Sequence, residues 1–423
     1  MNLKIRLALM NFLEFAAWGA YLTCMGVYLG NLGMGAHIGG FFAMQGIVSI
    51  FMPALMGIVA DRWIPAQKLL GLCHLVAGVF MLACAWYGHT NGTDSKYFVL
   101  FSLYSVSVAF YMPTLALTNS VAYNALTKAG MDTVRDFPPI RIFGTIGFIC
   151  TMWFVDLTGF NQSEFQFVTS GVLSLLLFLY SFTLPDCPIK KSEGKQSFSQ
   201  ALGLQAFGLL KQKEMAIFFI FSALLGASLQ ITNGFATPYI QHFETMAEYV
   251  GSFGVEHATI LYSISQISET FCILLIPFFM KRYGIKQVML IAMFAWVMRF
   301  GFLGLGNPGG GIWLFVLSMI IYGMAFDFFN ISGSLYVDKS TDPTIRSSAQ
   351  GLFILMTNGI GATVGSVAAQ QVVNLFTHQE TINGATYTVG NWGAAWMTFS
   401  LYALVIGVAF ALIFRPKKEN LKA

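Results

Sequence analysis

The chain contains about twelve runs of roughly 20 mostly apolar residues, the length that an α-helix needs to cross a bilayer. The runs are about twice too long for the strands of a membrane β-barrel, and they lack the strict alternation of such strands. Short segments rich in charged residues, Gly or Pro separate them. The sequence therefore predicts an all-α polytopic membrane protein with twelve transmembrane helices. The expected spans are 7–29, 38–60, 69–88, 97–120, 139–156, 165–184, 215–240, 257–279, 287–306, 311–334, 346–373 and 393–414.

Composition excludes several other classes of protein. Only 10% of the 423 residues are charged and 56% are hydrophobic, whereas soluble domains carry about 25% charged residues. These values exclude a cytosolic enzyme, a disordered chain and a nucleic-acid binder. Five of the six cysteines fall inside predicted spans, and the exception is Cys187. Thiols in such spans pack as small apolar groups. We therefore expect no disulfide framework, no metal site and no cofactor.

The positions of the basic residues predict the orientation of the chain in the membrane. Cytoplasmic segments of membrane proteins carry an excess of Lys and Arg. If both termini are cytoplasmic, all 23 Lys and Arg residues except Lys96 and Arg299 fall in cytoplasmic segments or at cytoplasmic helix ends. The outer segment 241–256 carries three Glu and no basic residue. We therefore expect cytoplasmic termini, and the net charge of +4 requires no anionic partner.

A polar stretch at 185–213 divides the predicted spans into two sets of six. It separates an N-terminal half, 1–184, from a C-terminal half, 214–423. Charged turns of similar type, within 57–63 and 277–286, fall at the same place in each half. This arrangement predicts a parallel repeat of two six-helix halves, as in the major facilitator superfamily fold.

Four charged residues lie well inside predicted spans, away from their ends, where an unpaired charge costs several kcal/mol. The acids are Glu14, Glu269 and Asp327, and each is a candidate either for function or for a permanent structural pair. Arg299 lies nearer the outer end of its span, so we expect it to snorkel or to pair at the outer interface. His74 is expected to be a hydrogen-bonded packing residue, with a proton relay as the alternative.

Polar and aromatic side chains recur along four spans at spacings that place them on shared helix faces. Because these groups would lack partners in lipid, we expect them to face one hydrated central cavity. The candidate residues are Arg141, Thr145 and Phe148; Gln230 and Asn233; Gln266 and Glu269; and Tyr322, Phe326 and Asp327.

The chemistry of this set suits a neutral, polar solute that carries an aromatic ring. Amides offer a donor and an acceptor together, which suits the edge of a nucleobase. Aromatic side chains can stack on a ring, and the carboxylates can accept hydrogen bonds from sugar hydroxyls. A sugar without a base would suit the amides almost as well, so that alternative stays open.

The acids inside the spans indicate coupling to protons. Burial in a low-dielectric cavity disfavours the charged form of a carboxyl group. A carboxylate there can bind and release a proton during transport. Glu269 and Asp327 are the candidate proton-coupling residues, and permanently paired structural charges are the alternative.

Eight segments of the chain resemble the bacterial nucleoside:proton symporters of the major facilitator superfamily. The resemblance covers almost the whole sequence, and the blocks at 136–149 and 322–334 are long and specific. Glu14 departs from it, because a neutral amide is expected there. The segments are FMPALMGIVAD (51–61), DFPPIRIFGTIGFI (136–149), MAIFFIFS (215–222), LQITN (229–233), SISQISET (263–270), IPFF with RYGIK (276–286), YGMAFDFFNISGS (322–334) and IRSSAQGLF (345–353).

The resemblance implies a transporter rather than an enzyme. It implies uptake of nucleosides across the bacterial inner membrane by alternating access, driven by inward proton flow. The partners would be a nucleoside, protons and the lipid bilayer, with no nucleic acid, and the monomer would be functional. It also implies that the ten residues of the four helix faces bind the substrate, and that Glu269 and Asp327 carry the coupling proton.

Overall fold

The computed structural model describes residues 2–187, 189, 204–342, 345–382 and 385–415. Most of the predicted linker at 185–213 lies outside the described residues, and its last part forms a 3-10 helix at Leu204–Lys211. The helices that precede the linker are α1 (Leu3–Gly19), α2 (Met25–Asn31), α3 (Ile38–Arg62), α4 (Ala66–Asn91), α5 (Tyr97–Tyr111), α6 (Thr114–Lys128), α7 (Thr133–Leu157) and α8 (Phe165–Ser181).

The part of the chain after the linker is also helical, apart from one β-hairpin. A π-helical segment at Leu355–Gly361 joins two of its helices. The elements are α9 (Lys213–His242), α10 (Phe253–Glu256), α11 (Ala258–Tyr283), α12 (Ile285–Leu305), α13 (Ile312–Ser340), α14 (Arg346–Ile354), α15 (Ala362–Phe376), β1 (Thr377–Ile382), β2 (Ala385–Gly390) and α16 (Trp392–Ile413).

Within the described residues, ten helical segments are long and apolar enough to cross a membrane. The helix satisfies every backbone N–H and C=O within its own segment, which hydrocarbon requires. Two predicted spans coincide with shorter helices. The run 7–29 is divided into α1 and α2, and the run 165–184 forms α8, which is apolar and 17 residues long.

The helices group into two compact units. The first unit comprises Met1–Met34 and Ile47–Gln196, and the second comprises Gly35–Gly46 and Ser197–Ala423. The start of α3 belongs to the second unit through direct contacts. For example, the backbone N–H of Gly39 donates a hydrogen bond of 2.6 Å to Oε1 of Gln370.

In the first unit, α1 and α7 approach each other closely because glycines lie at their contact. A Cβ atom on Gly147 would collide with the backbone carbonyl of Phe12, and one on Gly19 would lie 2.5 Å from the carbonyl oxygen of Phe148. Small residues allow membrane helices to pack at such short distances. This contact fixes the face of α7 that carries the predicted site residues.

In the second unit, an aromatic core joins α9 to α13 and α14. The ring of Phe218 lies 4.9 Å from that of Tyr336 and 5.6 Å from that of Phe353, measured between centroids. All three side chains are buried. Aromatic pairs at these distances add about 0.5–1.5 kcal/mol each to the burial of their area.

The antiparallel hairpin of β1 and β2 was not predicted. Thr377 pairs with Gly390 at one end and Ile382 with Ala385 at the other. The sequence carries a signal for it, because the dipeptide Asn383-Gly384 is typical of two-residue hairpin turns.

We expect the substitution Gly147→Val to destabilise the protein, because the backbone oxygen of Phe12 cannot yield without moving α1. Overpacking of this kind costs about 1–3 kcal/mol. The unfolding temperature of the purified protein in detergent should therefore fall by several degrees. Gly351→Ala is the matched control, since a Cβ there meets open space. Equal unfolding temperatures for Gly147→Val and the wild type would contradict the proposed packing.

Candidate functional site

The ten predicted site residues lie on four helices of the two units. Arg141, Thr145 and Phe148 lie on α7 of the first unit. The other seven belong to the second unit, with Gln230 and Asn233 on α9, Gln266 and Glu269 on α11, and Tyr322, Phe326 and Asp327 on α13. Their arrangement within each unit is described by the structure. That all ten face one cavity stays a prediction.

On α7, the predicted residues pack against aromatic side chains of α1. The guanidinium carbon of Arg141 lies 3.9 Å from the ring centroid of Phe15. Phe148 is buried, and its ring meets that of Trp18 edge to face at 6.2 Å. Sequence reasoning missed Phe15 and Trp18, because aromatic residues are frequent in all the spans and carry no polar signal.

On α13, the predicted aromatic residues form a stack. The rings of Tyr322 and Phe326 are nearly parallel, with an interplanar angle of 4° and centroids 5.6 Å apart. The guanidinium carbon of Arg299 lies 4.6 Å from the centroid of the Tyr322 ring, and Trp296 meets this ring edge to face. The stack is therefore held in position by a cation–π contact and an aromatic contact, both from α12.

The expectation that Arg299 snorkels to the outer interface is wrong. Its side chain is fully buried, and Nη1 donates hydrogen bonds to Oγ of Ser265 at 3.2 Å and to the backbone oxygen of Ser318 at 2.8 Å. Among the described residues, it has no carboxylate partner within 4 Å. Neutral acceptors and aromatic faces surround the charge, and its burial could not be predicted from its position along the span.

The two candidate acids of the second unit lie close enough to interact electrostatically. Asp327 is 5% exposed, and its Oδ2 has no hydrogen-bond partner among the residues that the structure describes. Their helices approach closely because Ser268 Oγ donates to the backbone oxygen of Ile320. Two carboxylates in such a site repel each other when both are ionised.

The amides on α9 are available for hydrogen bonding to different degrees. Oδ1 of Asn233 accepts a hydrogen bond of 3.0 Å from the hydroxyl of Tyr262. Oε1 of Gln230 is buried and has no partner in the described part of the chain. Sequence reasoning missed Tyr262, although it lies one helical turn before Gln266 and therefore on the same face of α11.

A small cavity of about 20 Å³ adjoins the aromatic stack in the second unit. Phe326 and Asn330 line it from α13, and Thr357 and Asn358 line it from the π-helical segment. This volume accommodates about one water molecule. Single-turn π-helical segments are frequent at functional sites.

Long apolar helices that carry buried carboxylates are typical of multi-pass membrane transporters. The comparisons with known proteins agree. Residues 1–419 match the sequence pattern of the nucleoside H+ symporter family. The nucleoside permease NupG of Escherichia coli (strain K12) is 47% identical over 99% of this chain and 97% of its own length. The xanthosine permease of the same strain is 44% identical over 98% of this chain and 96% of its own length.

A solved structure also matches over almost the whole chain. The crystal structure of a mutant of the nucleoside transporter NupG superposes with a TM-score of 0.92, at 46% identity, and covers 98% of this chain and 100% of that one. The fold is that of the major facilitator superfamily. The chain belongs to the nucleoside H+ symporter family and is a transporter, not an enzyme.

We expect Asp327→Asn to stabilise the protein at about pH 8, because it removes a buried carboxylate that the neighbouring acid also repels, a gain of about 1–2 kcal/mol. The unfolding temperature in detergent should rise. Asp338→Asn is the control on the same helix, since Asp338 is partly exposed and pairs with Arg346 at 3.1 Å. It should give no gain. A lower unfolding temperature for Asp327→Asn would show that the carboxylate is favourably paired.

Proposed function

We propose that the protein imports nucleosides together with protons and that the carboxylates of Glu269 and Asp327 carry the coupling. The observation that carries the proposal is their proximity beside the Tyr322–Phe326 stack, in a chain of the nucleoside H+ symporter family. The stack offers an aromatic surface next to acceptors for hydroxyl groups. A nucleoside has an aromatic base and a hydroxylated sugar, which match these two features.

The amides are proposed to recognise the base. Gln230, Asn233 and Gln266 each carry a donor and an acceptor, as the edges of nucleobases do. The buried Oε1 of Gln230 lacks a partner within the described residues, so a base N–H would satisfy it. Phe148 or Phe326 would stack on the base. This assignment is supported by the relatives named as nucleoside and xanthosine permeases.

The charged residues are proposed to bind the ribose and the proton. Arg141 and Thr145 would donate to sugar oxygens, and the acids would accept from sugar hydroxyls. Ionising both Glu269 and Asp327 is costly, so one of them binds a proton readily. The unpartnered Oδ2 of Asp327 is the proposed position of that proton or of a hydroxyl group. Release of the proton to the cytoplasm would then drive import.

The proposed architecture has twelve spans in two halves, 1–184 and 214–423, joined by a cytoplasmic linker at 185–213. Ten spans meet the length criterion, and α1 with α2 and α8 would supply the other two. The halves would rock about a central site. Both termini would be cytoplasmic in the inner membrane, in line with the distribution of Lys and Arg, and the monomer would be the functional unit.

Uptake of labelled solutes into cells or proteoliposomes tests the function. We expect uridine or adenosine to accumulate when the inside is alkaline, because inward proton flow drives the coupled solute. An uncoupler should abolish accumulation, and glucose should not accumulate. Uptake of glucose alone would favour a proton-coupled sugar porter. Nucleoside uptake that an uncoupler leaves unchanged would contradict proton coupling.

The variant Asp327→Asn tests the proposed coupling residue. An amide cannot release a proton, so the internal concentration of nucleoside should only reach the external one, while exchange of labelled for unlabelled nucleoside continues. Both rates are measured in proteoliposomes with and without a proton gradient. Asp338→Asn, on the exposed part of the same helix, should accumulate nucleoside normally. Full accumulation by Asp327→Asn would exclude Asp327 from the coupling.

A further inference from the structure

The first unit contains a buried carboxylate on α1, a helix that carries none of the predicted site residues. Glu14 on α1 is fully buried, and its Oε2 lies 2.8 Å from Nε2 of His74 on α4. Thr118 donates to the same oxygen at 2.9 Å. Oε1 lies 2.6 Å from the hydroxyl of Thr114, and the backbone oxygen of Glu14 accepts from the hydroxyl of Tyr111 at 2.7 Å.

The hydrogen bonds of the Thr114 hydroxyl indicate that Glu14 is protonated. Oγ1 of Thr114 lies 2.6 Å from Oε1 of Glu14 and 2.5 Å from the backbone oxygen of Tyr111. Both oxygens are acceptors if Glu14 is ionised, and one hydroxyl proton cannot serve both. A proton on Oε1 resolves the conflict, because Glu14 then donates to Thr114 and Thr114 donates to Tyr111. Oε2 remains the acceptor for His74 and Thr118.

The charge of the site leads to the same assignment. An ionised Glu14 beside a neutral His74 would leave a fully buried net charge of −1, which costs several kcal/mol. An imidazolium would restore neutrality, but Nδ1 of His74 has no hydrogen-bond partner among the described residues. A buried N–H donor without an acceptor is also costly. The neutral pair therefore holds its proton on Glu14, with a bare acceptor at Nδ1.

The other ionisable groups around the pair come from each neighbouring helix. Cys73 lies beside His74 on α4, Tyr111 faces it from α5, and Arg141 acts on Tyr111 from α7. Helix α6 presents two threonine hydroxyls. On α8 the ionisable side chain is Tyr180, which bonds the backbone oxygen of Arg6 two turns away from Glu14. Among these groups, Glu14 is therefore the one carboxylic acid that can hold the proton.

The pair is connected to a proposed substrate residue through direct packing. Trp18 lies one turn after Glu14 on α1, and its ring is 6.0 Å from that of Tyr111 and 6.2 Å from that of Phe148. Loss of the proton would break the hydrogen-bond chain through Thr114 and disturb the α1–α5–α6 contact. The effect would reach α7 through Trp18.

We propose that Glu14 and His74 form a second proton-binding site, whose exchangeable proton must be bound for the first unit to support transport. The proposal rests on the proposed function, since transport is its readout. This site is additional to the acids of the second unit. It controls how transport depends on pH, whereas the acids of the second unit control the direction of net flux.

Exchange of labelled for unlabelled nucleoside tests the proposal, because exchange requires no proton gradient. Once the pair loses its proton, exchange by the wild type should fall by about tenfold per pH unit, the slope of one ionisation. Glu14→Gln should lose this decline. Its amide nitrogen can donate to Thr114, its oxygen can accept from His74, and it has no proton to release.

Glu164→Gln is the matched control, because Glu164 also contacts a histidine, His89, at 2.7 Å, but that imidazole is exposed. It should keep the wild-type pH profile. Identical profiles for the wild type and Glu14→Gln, or a flat profile for the wild type, would overturn the proposal. Failure of the proposed function has a different signature, since the wild type would then exchange no nucleoside at all or would ignore the proton gradient.

Infrared difference spectroscopy tests the proton directly and does not depend on transport. The protein is prepared as Glu269→Gln with isotope-labelled glutamate, which separates glutamic acid bands from those of Asp327. A carbonyl band of protonated glutamic acid should remain at a pH where exposed glutamates, with pKa values of about 4.3, are ionised, and it should disappear as the pH rises further. It should be absent from the double variant that also carries Glu14→Gln. If no such band is seen, Glu14 carries no exchangeable proton.

Discussion

The structure depends on one constraint, which is that hydrocarbon offers no hydrogen-bond partner. Every polar group inside a span must therefore be satisfied by the protein. Helices satisfy the backbone, and many Ser and Thr side chains bond to carbonyls of their own helix. Ser222 donates to the oxygen of Phe218, Thr357 to that of Phe353, and Ser366 to that of Ala362. Against this background, a buried carboxylate oxygen or amide oxygen without a partner is a candidate for ligand binding.

Three buried charged or acidic groups show different solutions to this constraint. Arg299 is surrounded by aromatic faces and neutral acceptors. Glu14 is enclosed by two hydroxyls and an imidazole, and a proton completes its hydrogen bonds. Asp327 keeps one oxygen without a partner in the described residues. Both carboxylate oxygens of Glu14 therefore have partners, whereas Oδ2 of Asp327 and the Nε and Nη2 atoms of Arg299 have none among the described residues.

Most of the spans could be predicted from the sequence, and the candidate site residues could be selected from it, because both have a strong one-dimensional signal. The length of an apolar run identifies a span. A carboxylate or amide inside such a run is conspicuous because its burial in lipid costs free energy, as for Asp327 and Gln230. The contacts of Tyr262 and Trp18 were not predictable, since an aromatic residue in a span is ordinary until its neighbours are known. The partner of Glu14 was equally hidden, because His74 lies sixty residues further along the chain.

The charges of the second unit support the proposal that its acids bind a single proton. Arg299 contributes +1 beside Tyr322, and the same ring interacts electrostatically with Glu269 and Asp327. With both acids ionised, the three side chains carry a net charge of −1, and one bound proton brings it to zero. A neutral cluster can move between environments of low dielectric at less cost than a charged one. In the proposed mechanism, the bound proton would therefore lower the cost of enclosing these acids together with a neutral solute.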